Sequence, residues 1–380
     1  MKNNKDIKLL KFLCENFKKD IVDGPFGSNL KRSDYCTKGI PVLKIQNIKQ
    51  FSIKFKKMDY VNPSKYNELK RHSYSNGDII MTKLGNPLGA SAIVDSLENG
   101  LIVADLVRIR ANKINTKYLC YHLNSPITSD YINSQQKGTT RPRVRIANVR
   151  ELPIYAPSPS EQKRIVTILD QAFTAIDKAK ANTEKNLTNA KELFESYLNG
   201  VFGNPGEDWE EKRFDKICVL QRGFDLPSRL RNGGIHPLVS SNGITDRIDS
   251  YKVKAPGVVT GRSGSIGYVH YISEDFWPLN TALYIKDFCG NFERCIYYFL
   301  KQFNLAKYSS GSGVPTLNRN NIHSEKVWFP KSLKEQQLIV IKLDEISAET
   351  KKLESIYQKK ITALDELKKS ILKKAFEGEL

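Results

Sequence analysis

Residues 161–202 read EQKRIVTILDQAFTAIDKAKANTEKNLTNAKELFESYLNGVF, and residues 335–376 read EQQLIVIKLDEISAETKKLESIYQKKITALDELKKSILKKAF. A shift of 174 lays one on the other without a gap: Glu161-Gln162 on Glu335-Gln336, Leu169-Asp170 on Leu343-Asp344, Phe202 on Phe376. Fourteen of the 42 positions are identical, and two unrelated helices would share an apolar rhythm but not these identities. Each copy predicts one long helix. In the first, Ile165, Leu169, Ala172, Ile176, Ala179, Ala190, Leu193 and Tyr197 fall on alternating steps of four and three. Ile339, Leu343, Ile346, Leu353, Tyr357, Leu364, Leu367 and Ile371 do so in the second. That spacing is the seam of a coiled coil, interrupted at Thr183 and Asn186 in one copy and at Thr350 and Lys360 in the other. Breakers precede both: Pro157 and Pro159 with Ser160, and Pro330 with Ser332. At ~1.5 Å per residue, each helix of about 40 residues is about 60 Å long.

Outward from the helices the texture changes to short β-branched and aromatic runs set between Gly, Asn and Ser, such as Gly77-Asp-Ile-Ile and Gly257-Val-Val-Thr. These segments echo each other more faintly. Lys83-Leu-Gly85 before Leu88-Gly89 matches Arg262-Ser-Gly264 before Ile266-Gly267, and Gly138…Pro142…Asn148 matches Gly311…Pro315…Asn321. With the turn-rich linker Gly203-Asn-Pro-Gly, the order is globule, helix, globule, helix: residues 1–157, 158–202, 203–330 and 331–380. The fold class is α+β with an internal repeat.

A chain of 380 residues that is 40% apolar and 27% charged has room for two or three packed domains. No apolar run approaches the ~18 residues of a membrane span. The opening MKNNKDIKLLKF lacks the apolar core of a secretory signal. Six scattered cysteines without CxxC spacing and five dispersed histidines predict reduced, packed thiols in a cytosolic protein and no metal site. The net charge is +19, and residues 1–150 hold 27 Lys and Arg against 12 Asp and Glu. A basic surface can serve solubility alone, but an excess concentrated in one segment favours a polyanion-binding face.

No P-loop, GxGxxG, HExxH, GxSxG or Asn-Pro-Pro-Tyr-type methylation motif occurs, although scattered carboxylates could still assemble a site. A stand-alone DNA methyltransferase or nuclease with a dispersed active site is therefore the alternative reading. Nucleic-acid signals are plainer. After Thr139 and Thr140, Arg141, Arg143 and Arg145 alternate, so an extended backbone would put all three on one face. Such a stripe neutralises phosphates, and a guanidinium can also hold guanine O6 and N7. The corresponding stretch, with Ser310, Ser312 and Arg319, is rich in small donors suited to close phosphate approach. Thr82-Lys83 and Thr260-Gly-Arg262-Ser263 each set one cation at a tight turn, and Gly24-Pro-Phe-Gly-Ser28 with Lys31 is another exposed turn. Asn86, Arg222, Ser241 and Asn242 complete the candidate DNA-contacting set.

These features, with the doubled Glu-Gln…Leu-Asp helix, the endings Ser196-x-Leu and Ser370-x-Leu-x-x-Ala-Phe, and Trp209 opening the second half, resemble the DNA-specificity subunit of type I restriction-modification systems across essentially the whole chain. The first globule has no counterpart of Trp209. The resemblance implies two target-recognition domains, similar to those of adenine-N6 methyltransferases, and an antiparallel coiled coil made by the helices. It implies a non-catalytic chain that binds double-stranded DNA at a bipartite asymmetric site. It further implies two methyltransferase subunits and, through them, restriction/translocase subunits as partners in a bacterial or archaeal cytoplasm. S-adenosylmethionine, ATP and Mg²⁺ would then sit on those partners, and no cofactor on this chain.

Overall fold

A computed structural model describes residues 6–85, 88–95, 99–138, 141–311 and 315–380. The chain divides into two units, Met1–Asn182 with Lys360–Leu380, and Thr183–Lys359. The division cuts through both long helices, Pro159–Gly203 and Leu333–Glu377, so each unit is one strand-rich globule plus a part of each helix.

The two units are built to one plan. In the first, a four-stranded antiparallel sheet runs in the order Ser91–Ile93, Ile79–Thr82, Leu106–Ile109, Ile21–Asp23. In the second, the order is Val269–Ile272, Gly257–Gly261, Ala282–Asp287, Val219–Arg222. A further sheet in each contains one parallel pair, Ile40–Leu43 with Gly100–Ile102 and His236–Ser240 with Trp277–Pro278. A two-stranded ribbon closes each globule. Trp209–Arg213 pairs with Lys326–Pro330, and Ile7–Leu9 pairs with Pro153–Tyr155. Ile7–Leu9 is thus the structural counterpart of the strand that Trp209 opens, although no tryptophan marks it.

Two of the identities that open the helix repeat, Gln162/Gln336 and Asp170/Asp344, are points at which helix meets globule. Ser158 and Ser332 start the helices, their hydroxyls accepting the N–H of Glu161 (3.3 Å) and Glu335 (3.1 Å). Gln162 is buried and bridges two backbones, accepting from Asn115 N–H (2.9 Å) and donating to the Pro157 carbonyl (2.8 Å). Gln336 repeats this with Phe292 N–H (2.7 Å) and the Pro330 carbonyl (3.0 Å). Asp170 accepts from the Tyr121 hydroxyl (2.6 Å) and Lys117 Nζ (2.7 Å). Asp344 accepts from the Tyr298 hydroxyl and, through both oxygens, from Arg294. Burial pushes the Asp344 carboxyl upward, but the Arg294 and Tyr298 bonds overcome this and hold it below the usual range.

Within the first unit the helices run antiparallel, with Lys180 Nζ on Asp365 (2.6 Å) and Lys368 Nζ on Asp177 (2.7 Å). The expected seam is kept over Ile165, Leu169 and Ile176 and at Ala190 and Leu343, all buried. Thr183 and Thr350 are buried in it as well, the Thr350 hydroxyl donating to the Ile346 carbonyl at 2.9 Å. The seam prediction fails at the far end of each copy. Leu193 and Leu367 are 54% and 46% exposed and Tyr197 is also open to solvent, whereas Leu198, Phe202, Leu372 and Phe376 are buried. There the globule determines which face turns inward. Phe376 packs on Tyr118 and His122 in the first unit, and Phe202 on Trp209 and Phe299 in the second.

Four of the six cysteines, Cys14, Cys120, Cys218 and Cys295, are buried, and burial raises the Cys14 and Cys120 thiols to about 12. Among the described residues no helix is long and apolar enough to cross a membrane, and no cluster of His, Cys, Asp and Glu could hold a metal ion.

Candidate nucleic-acid interface

Each four-stranded sheet ends in a basic turn, and the same backbone bonds tie that turn to a segment far along the chain. In the first unit, Ile79–Thr82 leads into Lys83. The Lys83 N–H donates to the Asp105 carbonyl (2.9 Å), its carbonyl accepts from Val144 N–H (3.0 Å), and Gly85 N–H donates to the Pro142 carbonyl (3.0 Å). In the second unit, Arg262 N–H donates to the Thr281 carbonyl (2.9 Å), its carbonyl accepts from Leu317 N–H (2.8 Å), and Gly264 N–H donates to the Pro315 carbonyl (3.2 Å). Gly85 and Gly264 have φ of 96° and 85°, the left-handed region that glycine enters without steric cost. The faint sequence echo of the globules is therefore one stitched loop built twice.

The stitching assembles the arginine stripe. Arg143 bridges to both Leu84 and Lys137. Along this extended segment Val144 is buried while Arg141, Arg143 and Arg145 are exposed. The three guanidiniums therefore share an outer face beside the Lys83 turn, as alternation requires. Ser28 and Lys31 are exposed on the turn that follows Asp23, the carboxylate that meets Lys83 Nζ at 2.5 Å. In the second unit, Arg262 and Ser263 are half-buried, Ser310 is exposed on a short strand paired with Thr316, and Asn242 is exposed at the His236–Ser240 hairpin turn. Arg319, in the first turn of Arg319–His323, extends Nη1 to the Leu220 carbonyl (3.4 Å).

Residues 48–188 and 206–363 match the pattern of the family described as type I restriction modification DNA specificity domain. The chain belongs to that family. Its specificity-subunit relatives include that of the MjaIX type I restriction enzyme of Methanocaldococcus jannaschii, 25% identical over 348 residues, which are 81% of this chain and 78% of that protein. The specificity subunit of the Escherichia coli EcoEI enzyme is 26% identical over 126 residues. That match takes in 31% of this chain and only about a fifth of the E. coli protein (21%). A chain from a structure devoted to complex assembly and conformational transition of the type I R-M system superposes with a TM-score of 0.79 at 19% identity, over 98% of both chains, a likeness of fold. The chain is a specificity subunit rather than an enzyme.

The structure corrects several expectations about which side chains of this specificity subunit face outward. Thr82 and Thr260 are 1% exposed, and the Thr260 hydroxyl donates inward to the Tyr268 carbonyl at 2.9 Å. Both strands are buried along their whole length, so these hydroxyls are covered whichever face they occupy. Ser241 is also buried, its Oγ lying 4.0 Å from where a Cβ on Gly264 would sit, so it backs the Arg262 loop instead of facing a ligand. Lys83 and Arg222 stand at the strand ends as cations already paired with a carboxylate, Asp23 for the first and Asp225 for the second. Asn86, Thr139, Thr140 and Ser312 lie outside the described residues.

Sequence reasoning missed three residues here: Asp23, Asp225 and Asn280, whose amide donates to Asp225 and whose carbonyl oxygen of the backbone accepts from Arg262 Nη1 at 3.1 Å. A search for positive charge passes over carboxylates. The sequence offered only faint signals, Asp23 directly before Gly24 and Asp225 two residues after Gly223, and none for Asn280.

Proposed function

We propose that this subunit reads double-stranded DNA through the two stitched loops, each globule taking one half of a bipartite, asymmetric site. It would dock two methyltransferase subunits, and through them restriction subunits, in the cytoplasm of a bacterium or archaeon. S-adenosylmethionine, ATP and Mg²⁺ would be held by those partners and not by this chain. The observation that carries the reading is the same cation-bearing loop, tied by the same three backbone bonds, in both units. In this assignment Arg141, Arg143, Arg145, Lys83, Lys31 and Ser28 contact the first half-site, and Arg222, Arg262, Ser263, Asn242, Ser310 and Arg319 the second. Phosphate contacts by such side chains set affinity and register, while bidentate guanidinium contacts select bases.

Methylation mapping in cells carrying this subunit with its methyltransferase supplies the test. A two-part methylated sequence separated by unread bases is expected, as is salt-dependent binding of that sequence by the purified chain. A contiguous or absent methylated sequence overturns the reading, as does calorimetric saturation of the isolated chain by S-adenosylmethionine.

A further inference from the structure

We propose that Asp23 and Asp225 are specificity-determining residues, each holding a strand-end cation so that it answers to a base edge and not to any phosphate. The inference rests on the DNA-reading function above and assigns roles that function did not need.

Lys83 Nζ lies 2.5 Å from Asp23 Oδ2, with both side chains half-buried. In the second unit, Arg222 Nη2 donates to both oxygens of Asp225 (2.9 and 3.0 Å), and Asp225 also accepts from the Asn280 amide. A carboxylate on a phosphate-facing surface opposes binding of every DNA sequence, so its presence at both loops calls for a compensating use. The two acids are not copies of one ancestral residue. Asp23 and Arg222 end matching strands, and each is followed by a glycine that has no space for a Cβ, so the repeat sets an acid in one unit where the other has a base. Each unit restores the pair with a different residue: Lys83 from the neighbouring turn in the first, Asp225 three positions on in the second. What recurs is an acid–base pair at the end of the same strand, half-buried in the first unit and exposed in the second.

The chemistry that follows is discrimination. A paired cation gives little to a passing phosphate, because its charge is already answered. Only Nη2 of Arg222 is engaged by Asp225. A guanidinium has five N–H donors in a fixed fork, so its remaining edge is held in one orientation for an acceptor pair such as guanine O6 and N7. Lys83 likewise keeps donors beyond the one directed at Asp23. Asp23 and Asp225 act through these cations and are positioning residues.

The test uses the full chain with Asp23→Asn, Asp225→Asn and Asp225→Glu. Binding is measured across a salt series on the duplex identified by methylation mapping and on a scrambled duplex. Each Asp→Asn change should raise affinity for the scrambled duplex about three- to tenfold and steepen its salt dependence by about one released ion. It should also lower the cognate-to-scrambled ratio about tenfold or more, with relaxed sequence preference confined to one half-site. Asp225→Glu, which keeps the charge, should retain most of the discrimination. Unchanged scrambled affinity and salt slope, or an equal fall on both duplexes, overturns the proposal. Failure of the parent chain to bind any duplex instead removes the DNA-reading function itself.

Discussion

Gln162 and Gln336 show how one side chain can fix a join. Each is buried at the start of a long helix, accepts a backbone N–H from the globule and donates to the carbonyl of a proline just before the helix. Replacing Gln336 by Ala leaves the Phe292 N–H and the Pro330 carbonyl without this partner, a loss of about 1–3 kcal/mol for buried polar groups. A lower unfolding midpoint for the second unit, with faster amide exchange around Phe292, is expected; an unchanged exchange pattern would mean that solvent replaces the glutamine. His323 adds a pH dependence. Burial first, and Arg319 second, hold its imidazole below the ordinary value, and its Nε2 accepts the Leu220 N–H at 3.0 Å, which requires an uncharged nitrogen. His270 is lowered too, by burial. An unfolded histidine takes up its proton near pH 6.5, before the folded one does. The stabilisation is therefore complete above that pH and is lost as pH falls through the lowered folded values. Thermal midpoints should drop between pH 7.5 and 5.5, and His323→Gln should flatten part of that drop. A pH-independent midpoint over this range would contradict the assignment.

At the scale of elements, the long helices were legible because their signals are local: prolines just at their start, a four-three rhythm and no further proline, although the serine that caps the first helix is Ser158 and not Ser160. The α+β character of the globules was legible for the same reason. What was not legible is the face each helix turns at its far end. Periodicity placed Leu193 and Leu367 on the seam, but the aromatic cluster of each globule draws in Phe202 and Phe376 instead, and no local pattern encodes where a distant globule will sit. The same limit hid Asp23, since its bond with Lys83 spans 60 residues; Asp225 lies only three residues from Arg222 and was passed over because only positive charge was sought. The packing gives a direct comparison. Phe376→Ala empties a fully buried ring site beside Tyr118 and His122 and should destabilise the first unit by about 3–5 kcal/mol. Leu367→Ser, on the exposed face, should change it by about 0.5 kcal/mol or less. Denaturant unfolding of the two variants measures both, and equal effects would return Leu367 to the seam.

For the whole molecule, the division into two units of one plan makes the second globule a replaceable part, provided that its joints are respected. The ribbon of Trp209–Arg213 with Lys326–Pro330 brings both ends of the globule together, between the turn-rich linker after Gly203 and the capping Ser332. Exchanging residues 204–330 for the equivalent segment of another family member leaves both long helices untouched. The donor must still answer Asp344 and Gln336. It needs a hydroxyl or cation where Tyr298 and Arg294 stand and a free backbone N–H where Phe292 stands. A donor lacking these leaves Asp344 half-buried without its partners, and low yield is then expected whatever the recognition loop carries. With the joints kept, one half of the methylated sequence should change and the other remain, because no residue of the Lys83 loop or the arginine stripe is replaced. Each altered base pair in the exchanged half should cost the original sequence about 1–3 kcal/mol of binding, enough to remove its methylation when several differ. Methylation mapping of the exchanged subunit decides the matter. Change in both halves would mean that the stitched loops do not read separately, and that the repeat in the sequence is a repeat of fold without a repeat of function.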